Sequence, residues 1–259
     1  MSTQKYSIVF YLLILITGCN KQNTQDNNLE VCNSVYYWRT DLRLDSTEKA
    51  FLYQYHINKV YCRYFDVVMT EDAKEPSPNA TITFSDTLPD GIEIIPTIYI
   101  TEDCMHKSYK GLAKKIVDRI LQMNETNDIK NVREIQMDCD YTSKSRPTYY
   151  KFLEEINVHL SAVHYKLSTT IRLHQLSMPA PPVDYGVLMV YNTGDPRKWE
   201  ERNPILDYRD VYPYLSRLDK YALPLATAYP VYQWIRNIQN VRVEHTVEAE
   251  EILKVKHAM

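Results

Sequence analysis

The sequence predicts a parallel α/β barrel of the TIM type, and three observations lead to this fold class. Its 259 residues are a common length for one such domain. Segments with a strand pattern alternate with helical segments seven times, which is typical of parallel α/β architecture. Residues 133–142, read as a strand, separate into a polar face with Gln136, Asp138 and Asp140 and an apolar face with Met137, Cys139 and Tyr141. An acidic strand face of this kind suits the interior end of a closed barrel.

The seven expected barrel strands are short segments rich in aromatic and β-branched residues. In chain order they are Ser34–Trp38, Lys59–Val68, Ile94–Ile100, Arg133–Thr142, Leu167–Leu173, Asp184–Tyr191 and Leu223–Tyr229. A short extra strand is expected at Ala80–Phe84, after a proline-containing loop.

Apolar residues at helical spacing predict four helices between these strands. They are Thr47–Ile57, Tyr109–Met123, Ser145–His164 and Asp207–Leu218. Ser46 is the expected cap of the first helix, and Pro147 fits the first turn of the third.

A barrel of this type needs an eighth strand, and the sequence shows no clear candidate. We expect the barrel domain, with its seven clear strands, to span residues 34–239. A charged helical tail is expected at residues 240–259. Three interpretations stay open. The barrel is incomplete at the eighth strand, the tail substitutes for the last repeat, or the end of the chain is altered.

The N-terminal 19 residues have the features of an export signal, with Lys5 followed by an apolar run at residues 8–16. The run is too short for a lasting membrane span, which needs about 20 apolar residues. It ends in Ile16-Thr17-Gly18-Cys19, which resembles the bacterial lipobox, and residues 20–33 read as a flexible tether. We therefore expect a lipoprotein anchored through Cys19 in the bacterial cell envelope, in the outer membrane.

Composition excludes some classes of function. The chain has 30 basic and 33 acidic residues, so no nucleic-acid partner is expected. Its five glycines form neither GxGxxG nor a Walker pattern, which argues against a phosphate-binding loop. The four cysteines after the signal form no CxxC motif, and their pairing stays open. The 22 tyrosines suit contacts with sugars, although most of them serve equally well as core residues.

Two motifs resemble those of the family 18 glycoside hydrolases, which include chitinases. Gln136-Met-Asp-Cys-Asp140 resembles the acidic signature D-x-x-D-x-D-x-E on the fourth barrel strand of that family. Leu188-Met-Val-Tyr-Asn192 resembles its sixth-strand Met-x-Tyr-Asp. With Leu-Ser-Thr-Thr-Ile-Arg-Leu-His between them, the motifs also resemble a group of bacterial lipoproteins with chitinase-like barrels. The resemblance covers roughly Ser34 to Trp234.

The resemblance implies a fold, a substrate class and three catalytic roles. Asp140 would protonate the glycosidic oxygen, and Asp138 would orient the acetamide of an N-acetylated sugar. Tyr191 would hydrogen-bond that acetamide, which itself attacks the anomeric carbon in this substrate-assisted route. No cofactor is implied, and the oligomeric state stays open.

Several residues depart from the family pattern. Gln136 and Asn192 replace aspartates, and Arg133 stands at the first acidic position. Asp140 replaces a glutamate, which shortens the reach by on the order of 1.5 Å, and an error of that size can cost about a hundredfold in rate. In a second register, Thr142 stands where the acid belongs, which describes an inactive barrel.

Further residues are candidates for contacts with substrate. Arg172 and His174 share a face of the fifth strand, so Arg172 is either a substrate clamp or the partner of Asp138 or Asp140 in a structural ion pair. A divalent cation on Asp138, Asp140 and His174 is an alternative without a metal-binding motif to support it. The expected substrate-binding set is Gln136, Arg172, His174, Asn192, Trp38 and Tyr229. The sequence thus predicts either a hydrolase of N-acetylated glycans or a non-catalytic surface lipoprotein that binds a glycan or a partner protein.

Overall fold

The computed structural model describes residues 32–194 and 203–231, and it describes the backbone of residues 235–236, 243–244 and 254–258. The predicted signal, Cys19 and nearly all of the tether therefore lie outside the described residues, as does Trp234.

The chain forms short strands and helices in close agreement with the expected order. The strands are β1 Asn33–Tyr37, β2 Asp41–Leu42, β3 Ile57–Val68, β4 Ser77–Asn79, β5 Thr83–Phe84, β6 Glu93–Ile100, β7 Glu134–Cys139, β8 Lys166–Arg172, β9 Tyr185–Met189, β10 Leu225–Tyr229, β11 Ile235–Arg236, β12 Val243–Glu244 and β13 Lys254–Ala258. The helices are α1 Ser46–Gln54, α2 Leu112–Thr126, α3 Arg146–Ser161 and α4 Tyr208–Leu215.

Seven of these strands form the parallel sheet that the sequence predicts. The sheet runs β1, β3, β6, β7, β8, β9 and β10, with every neighbouring pair parallel. β13 then pairs antiparallel with both β10 and β1. The sheet therefore curls into an α/β barrel whose eighth position is taken by a strand of opposite direction.

The expected helical tail is wrong where the structure describes it, because residues 254–258 form β13. Lys254-Val-Lys-His-Ala258 carries only a brief alternation, which a charged helix could show equally well. Pairing with the exposed edges of β1 and β10 decides the conformation, since an unpaired edge leaves backbone groups without partners. The alternative in which the tail substitutes for the last repeat agrees with this arrangement.

A capping box starts α1, and the cap is Asp45 rather than the expected Ser46. The Asp45 side chain accepts a hydrogen bond from the Glu48 backbone N–H at 2.8 Å. In return, the Glu48 carboxylate accepts one from the Asp45 backbone N–H at 2.7 Å. Aspartate at this position satisfies a backbone donor and places a negative charge at the helix N-terminus.

The two faces of β7 behave as predicted. Met137, Cys139 and Tyr141 pack outward in the apolar layer shared with α2 and α3. Gln136 and Asp138 face the barrel interior, where they are 0% and 2% exposed. The interior also holds an apolar cluster that we call the interior cluster: Tyr36, Tyr61, Ile95, Val187, Met189, Ala226 and Ala228.

Polar side chains inside the barrel are joined by hydrogen bonds. Gln136 accepts a hydrogen bond from the Tyr36 hydroxyl at 2.7 Å and donates to Ser168 at 3.3 Å. Ser168 donates to Glu134 at 2.6 Å, and Lys59 Nζ lies 3.2 Å from the other Glu134 oxygen. Burial, with the Asp138 carboxylate, raises the pKa of Tyr36 well above its usual value, so this hydroxyl remains a donor. Satisfied networks of this kind fix the register of the strands that carry them.

Candidate functional site

An open cavity of about 440 Å³ lies at the C-terminal end of the parallel strands. The residues that line it follow or end β7, β8 and β9, or belong to α4: Asp140, Arg172, Leu173, His174, Met189, Tyr191, Asn192, Thr193, Asp210 and Tyr214. Catalytic and binding residues of TIM barrels lie at this end, because the loops after the strands meet there. Five residues of the predicted site are therefore in one cavity wall: Asp140, Arg172, His174, Tyr191 and Asn192.

Asp138 and Arg172 form an ion pair below this cavity. Arg172 Nη2 lies 3.1 Å from Asp138 Oδ1, which also accepts a hydrogen bond from Thr170 at 2.5 Å. Burial alone would lower the pKa of the Arg172 guanidinium, but the Asp138 carboxylate, with Tyr191 and Asp140, raises it above the usual value. Asp138 is 2% exposed and the Arg172 side chain 22%, so Arg172 separates the carboxylate from the cavity. The interpretation of these residues as a structural ion pair agrees with this geometry.

Asp140 is the exposed carboxylate of the cavity. It follows the last residue of β7 and its side chain is 57% exposed. Arg172 Nε and His174 Nε2 each lie 3.9 Å from its Oδ1. A carboxylate, a guanidinium and an imidazole thus lie close together in the cavity wall.

Tyr191 and Asn192 follow β9 and line the same cavity as Asp140. Tyr191 is half-buried and packs against the interior cluster. Asn192 has a φ of 51°, a left-handed conformation that asparagine tolerates better than most residues. Thr193 follows in the cavity wall, to which Asp210 and Tyr214 of α4 also contribute.

Three predicted substrate-binding residues are not in the cavity wall. Gln136 is completely buried in the hydrogen bonds described above, so its assignment to substrate contact is corrected. Ala228 packs in the interior cluster, and neighbouring residues of a strand point to opposite faces. Tyr229 therefore lies on the outer face of β10, where it is 42% exposed. Trp38 is at the correct end of the barrel, but the Arg63 guanidinium lies over its ring at 5.6 Å, and Tyr99 meets its edge.

Sequence reasoning missed the contribution of α4 and a second ion pair. Asp210 and Tyr214 of α4 line the cavity, and neither belongs to a motif that the sequence analysis identified. Arg63 and Asp66, both on β3, pair through two hydrogen bonds near Trp38. A bulge between Arg63 and Phe65 places both side chains on the interior face, which strict alternation does not predict.

Two features are absent from the described part of the chain. It holds no cluster of three or more histidine, cysteine, aspartate or glutamate side chains arranged for a metal ion. None of its helices is long and apolar enough to cross a membrane.

Comparison with known proteins identifies the fold. No family profile and no curated protein matches the chain. The C-terminal domain of a predicted chitinase from Desulfitobacterium hafniense is similar, with a TM-score of 0.53 and 11% identity over 88% of this chain and 72% of that one. The spore cortex-lytic enzyme SleL of Bacillus cereus is similar with a TM-score of 0.50 and 15% identity, over 87% of this chain and 64% of SleL. The predicted chitinase-like TIM-barrel fold is thus confirmed.

Proposed function

We propose that the protein is a glycoside-hydrolase-like lipoprotein that binds an N-acetylated glycan in the cavity at the C-terminal end of the barrel. The cavity carries this proposal, because its volume of about 440 Å³ falls within the usual range for small-ligand sites. Its wall combines hydrogen-bonding side chains with tyrosine rings, a combination that suits the hydroxyl groups and apolar faces of a sugar.

Different parts of the wall suit different parts of an N-acetylated sugar. Asn192 and His174 offer both donors and acceptors to hydroxyl groups, and Asp140 offers acceptors. Tyr191 lines the cavity, and its motif implies a hydrogen bond to the acetamide. Met189 adds an adaptable apolar surface for the acetamide methyl group.

Binding without turnover is the function that this geometry supports best. Arg172 holds Asp138 at 3.1 Å and covers it, so orienting an acetamide through Asp138 requires this ion pair to open. Breaking a buried ion pair is costly, which opposes the rearrangement that catalysis would require.

Hydrolysis is the second candidate, favoured by the position of Asp140 in the cavity wall at the end of β7. In this route, a protonated Asp140 gives its proton to the glycosidic oxygen while the bond from that oxygen to the anomeric carbon breaks. The acetamide oxygen of the same sugar forms the new bond to that carbon. Water then attacks the anomeric carbon, breaks the bond to the acetamide oxygen and returns a proton to Asp140.

One experiment separates the two candidates. Binding by calorimetry and release of products would be measured for purified full-length protein with chitin oligosaccharides, N-glycans and peptidoglycan fragments. We expect binding without products, and weaker binding for Asp140→Asn. Products that disappear in Asp140→Asn would establish hydrolysis instead. Absence of both binding and products would refute both candidates. Asp118→Asn is the matched control, because Asp118 is 57% exposed on α2, outside the cavity wall.

We further propose that Cys19 carries the lipid that anchors the protein in the bacterial outer membrane. The order of apolar run, small residues and cysteine supports this proposal. Labelling of cells with a fatty-acid analogue should mark the wild-type protein and not Cys19→Ala. Equal labelling of both proteins would refute lipidation at this residue.

A further inference from the structure

Two large aromatic side chains are exposed side by side on α4. Tyr208 and Tyr212, four residues apart, are 64% and 62% exposed. Their ring centroids are 5.4 Å apart, with the ring planes tilted by 52°. Residues at this spacing lie on the same face of a helix, so the two rings form one continuous surface. We call it the tyrosine pair.

The helix holds the tyrosine pair in a fixed position. Val211, on the adjacent part of the helix, is buried against Ile171 and Leu188 of the barrel. Asp207 caps the helix by accepting a hydrogen bond from the Arg209 backbone N–H at 2.8 Å. Tyrosine loses little conformational entropy when it binds, because few of its bonds rotate. The pair is therefore preorganised for a ligand.

The size of the tyrosine pair indicates what kind of ligand it fits. At these exposures two tyrosine side chains offer on the order of 200–300 Å² together. A stable protein interface needs roughly 800 Å² from each partner, so the pair alone is too small for one. A sugar ring has apolar C–H faces and a hydroxyl rim, which match aromatic faces with hydroxyl tips.

The position of the pair points to a glycan that also reaches the cavity. Asp210 and Tyr214 of the same helix line the cavity, whereas Tyr208 and Tyr212 lie on another side of α4. One short helix thus contributes to the cavity and carries the pair. We propose that the tyrosine pair is an accessory glycan-binding surface that holds a sugar residue of a polymer, outside the cavity. This inference relies on the proposed function only for the class of ligand.

Retention of the full-length protein on insoluble chitin and on peptidoglycan sacculi tests the proposal. The double variant Tyr208→Ala/Tyr212→Ala should lose affinity for the polymer by on the order of tenfold, because it removes most of the apolar surface of the pair. Calorimetric binding of chitotriose in the cavity should not change. Tyr208→Phe/Tyr212→Phe should keep polymer retention, since the ring faces remain. Tyr53→Ala is the matched control, because Tyr53 is also 64% exposed on a helix.

The outcomes are distinguishable. Polymer retention that is unchanged in the double alanine variant, or reduced equally in Tyr53→Ala, overturns the proposal. So does a wild-type protein that neither polymer retains. A change from dimer to monomer in the double variant, seen by sedimentation, would show that the pair binds a second copy instead. If the wild type does not bind chitotriose but is still retained on the polymer through the tyrosine pair, the proposed cavity function is refuted and the accessory surface is supported.

Discussion

The ion pair between Arg172 and Asp138 gives the sharpest test of the structure. Replacing Arg172 with methionine keeps an unbranched apolar side chain and removes the charge. Asp138 is then a carboxylate at 2% exposure in the barrel interior, and the Thr170 hydroxyl that donates to it is neutral. We expect Arg172→Met to destabilise the protein strongly, and Asp138→Asn to do so less.

The expected magnitude follows from the distance and the burial. At 3.1 Å and an effective dielectric constant of about 20, the attraction is about 5 kcal/mol. Part of it offsets the cost of removing both charges from water, and breaking one side of a buried pair typically costs about 3–5 kcal/mol. For a domain of this size the melting temperature should fall by roughly 6–20 °C.

Urea unfolding followed by circular dichroism measures this effect. The double variant Arg172→Met/Asp138→Asn should be less destabilised than the sum of the two single variants, because no unpaired charge is left buried. Lys114→Met is the control, since its pair with Asp118 is exposed and worth at most about 1 kcal/mol. A loss below about 1 kcal/mol in a folded Arg172→Met would show that Asp138 does not depend on Arg172.

Three smaller perturbations follow from other contacts. Asp45→Ala should lower the free energy of unfolding by about 1 kcal/mol, since it removes the capping box of α1; an unchanged urea midpoint would contradict this. Gly186→Ala should destabilise by roughly 1–3 kcal/mol, because the added Cβ would lie 2.8 Å from Ile171 Cγ1; a melting temperature equal to that of the wild type would show that the site can relax. The pKa of Glu102 is lowered, and the hydrogen bond from Ser145 contributes most to this shift. The Glu102 carboxylate therefore stabilises the fold above the pKa that it has in the unfolded chain. This stabilisation is lost as the pH falls through the pKa of Glu102 in the folded protein. Urea unfolding at pH 7 and pH 3 should therefore show a stability difference between wild type and Glu102→Gln that shrinks with acid, and a constant difference would refute this assignment.

Local alternation was sufficient to predict much of the barrel. The two faces of β7 follow directly from period-two spacing, and burial of Met137 and Cys139 confirms them. The same rule failed at Tyr229. The face of β10 on which Tyr229 lies depends on which residues of that strand point inward, and a shift of one residue moves Tyr229 to the other face. The bulge at Tyr64 has the same effect on Arg63 and Asp66.

The remaining features depend on contacts between residues distant in the chain. The direction of β13 is set by the free edges of β1 and β10, which the sequence of the tail does not encode by itself. Asp210 of α4 lines the cavity together with residues that follow β9, a proximity that helical spacing cannot predict. The acidic motif likewise indicated which residues lie near one another. That Arg172 pairs with Asp138 and covers it is seen only in the three-dimensional structure.

The direction of the strands also determines which way the cavity opens. β1 begins at Asn33, at the end of the barrel opposite the cavity. Asn33 is fourteen positions after Cys19, which allows a reach of at most about 50 Å in a fully extended chain. A lipid on Cys19, as proposed above, would therefore be joined to the barrel at the end away from the cavity.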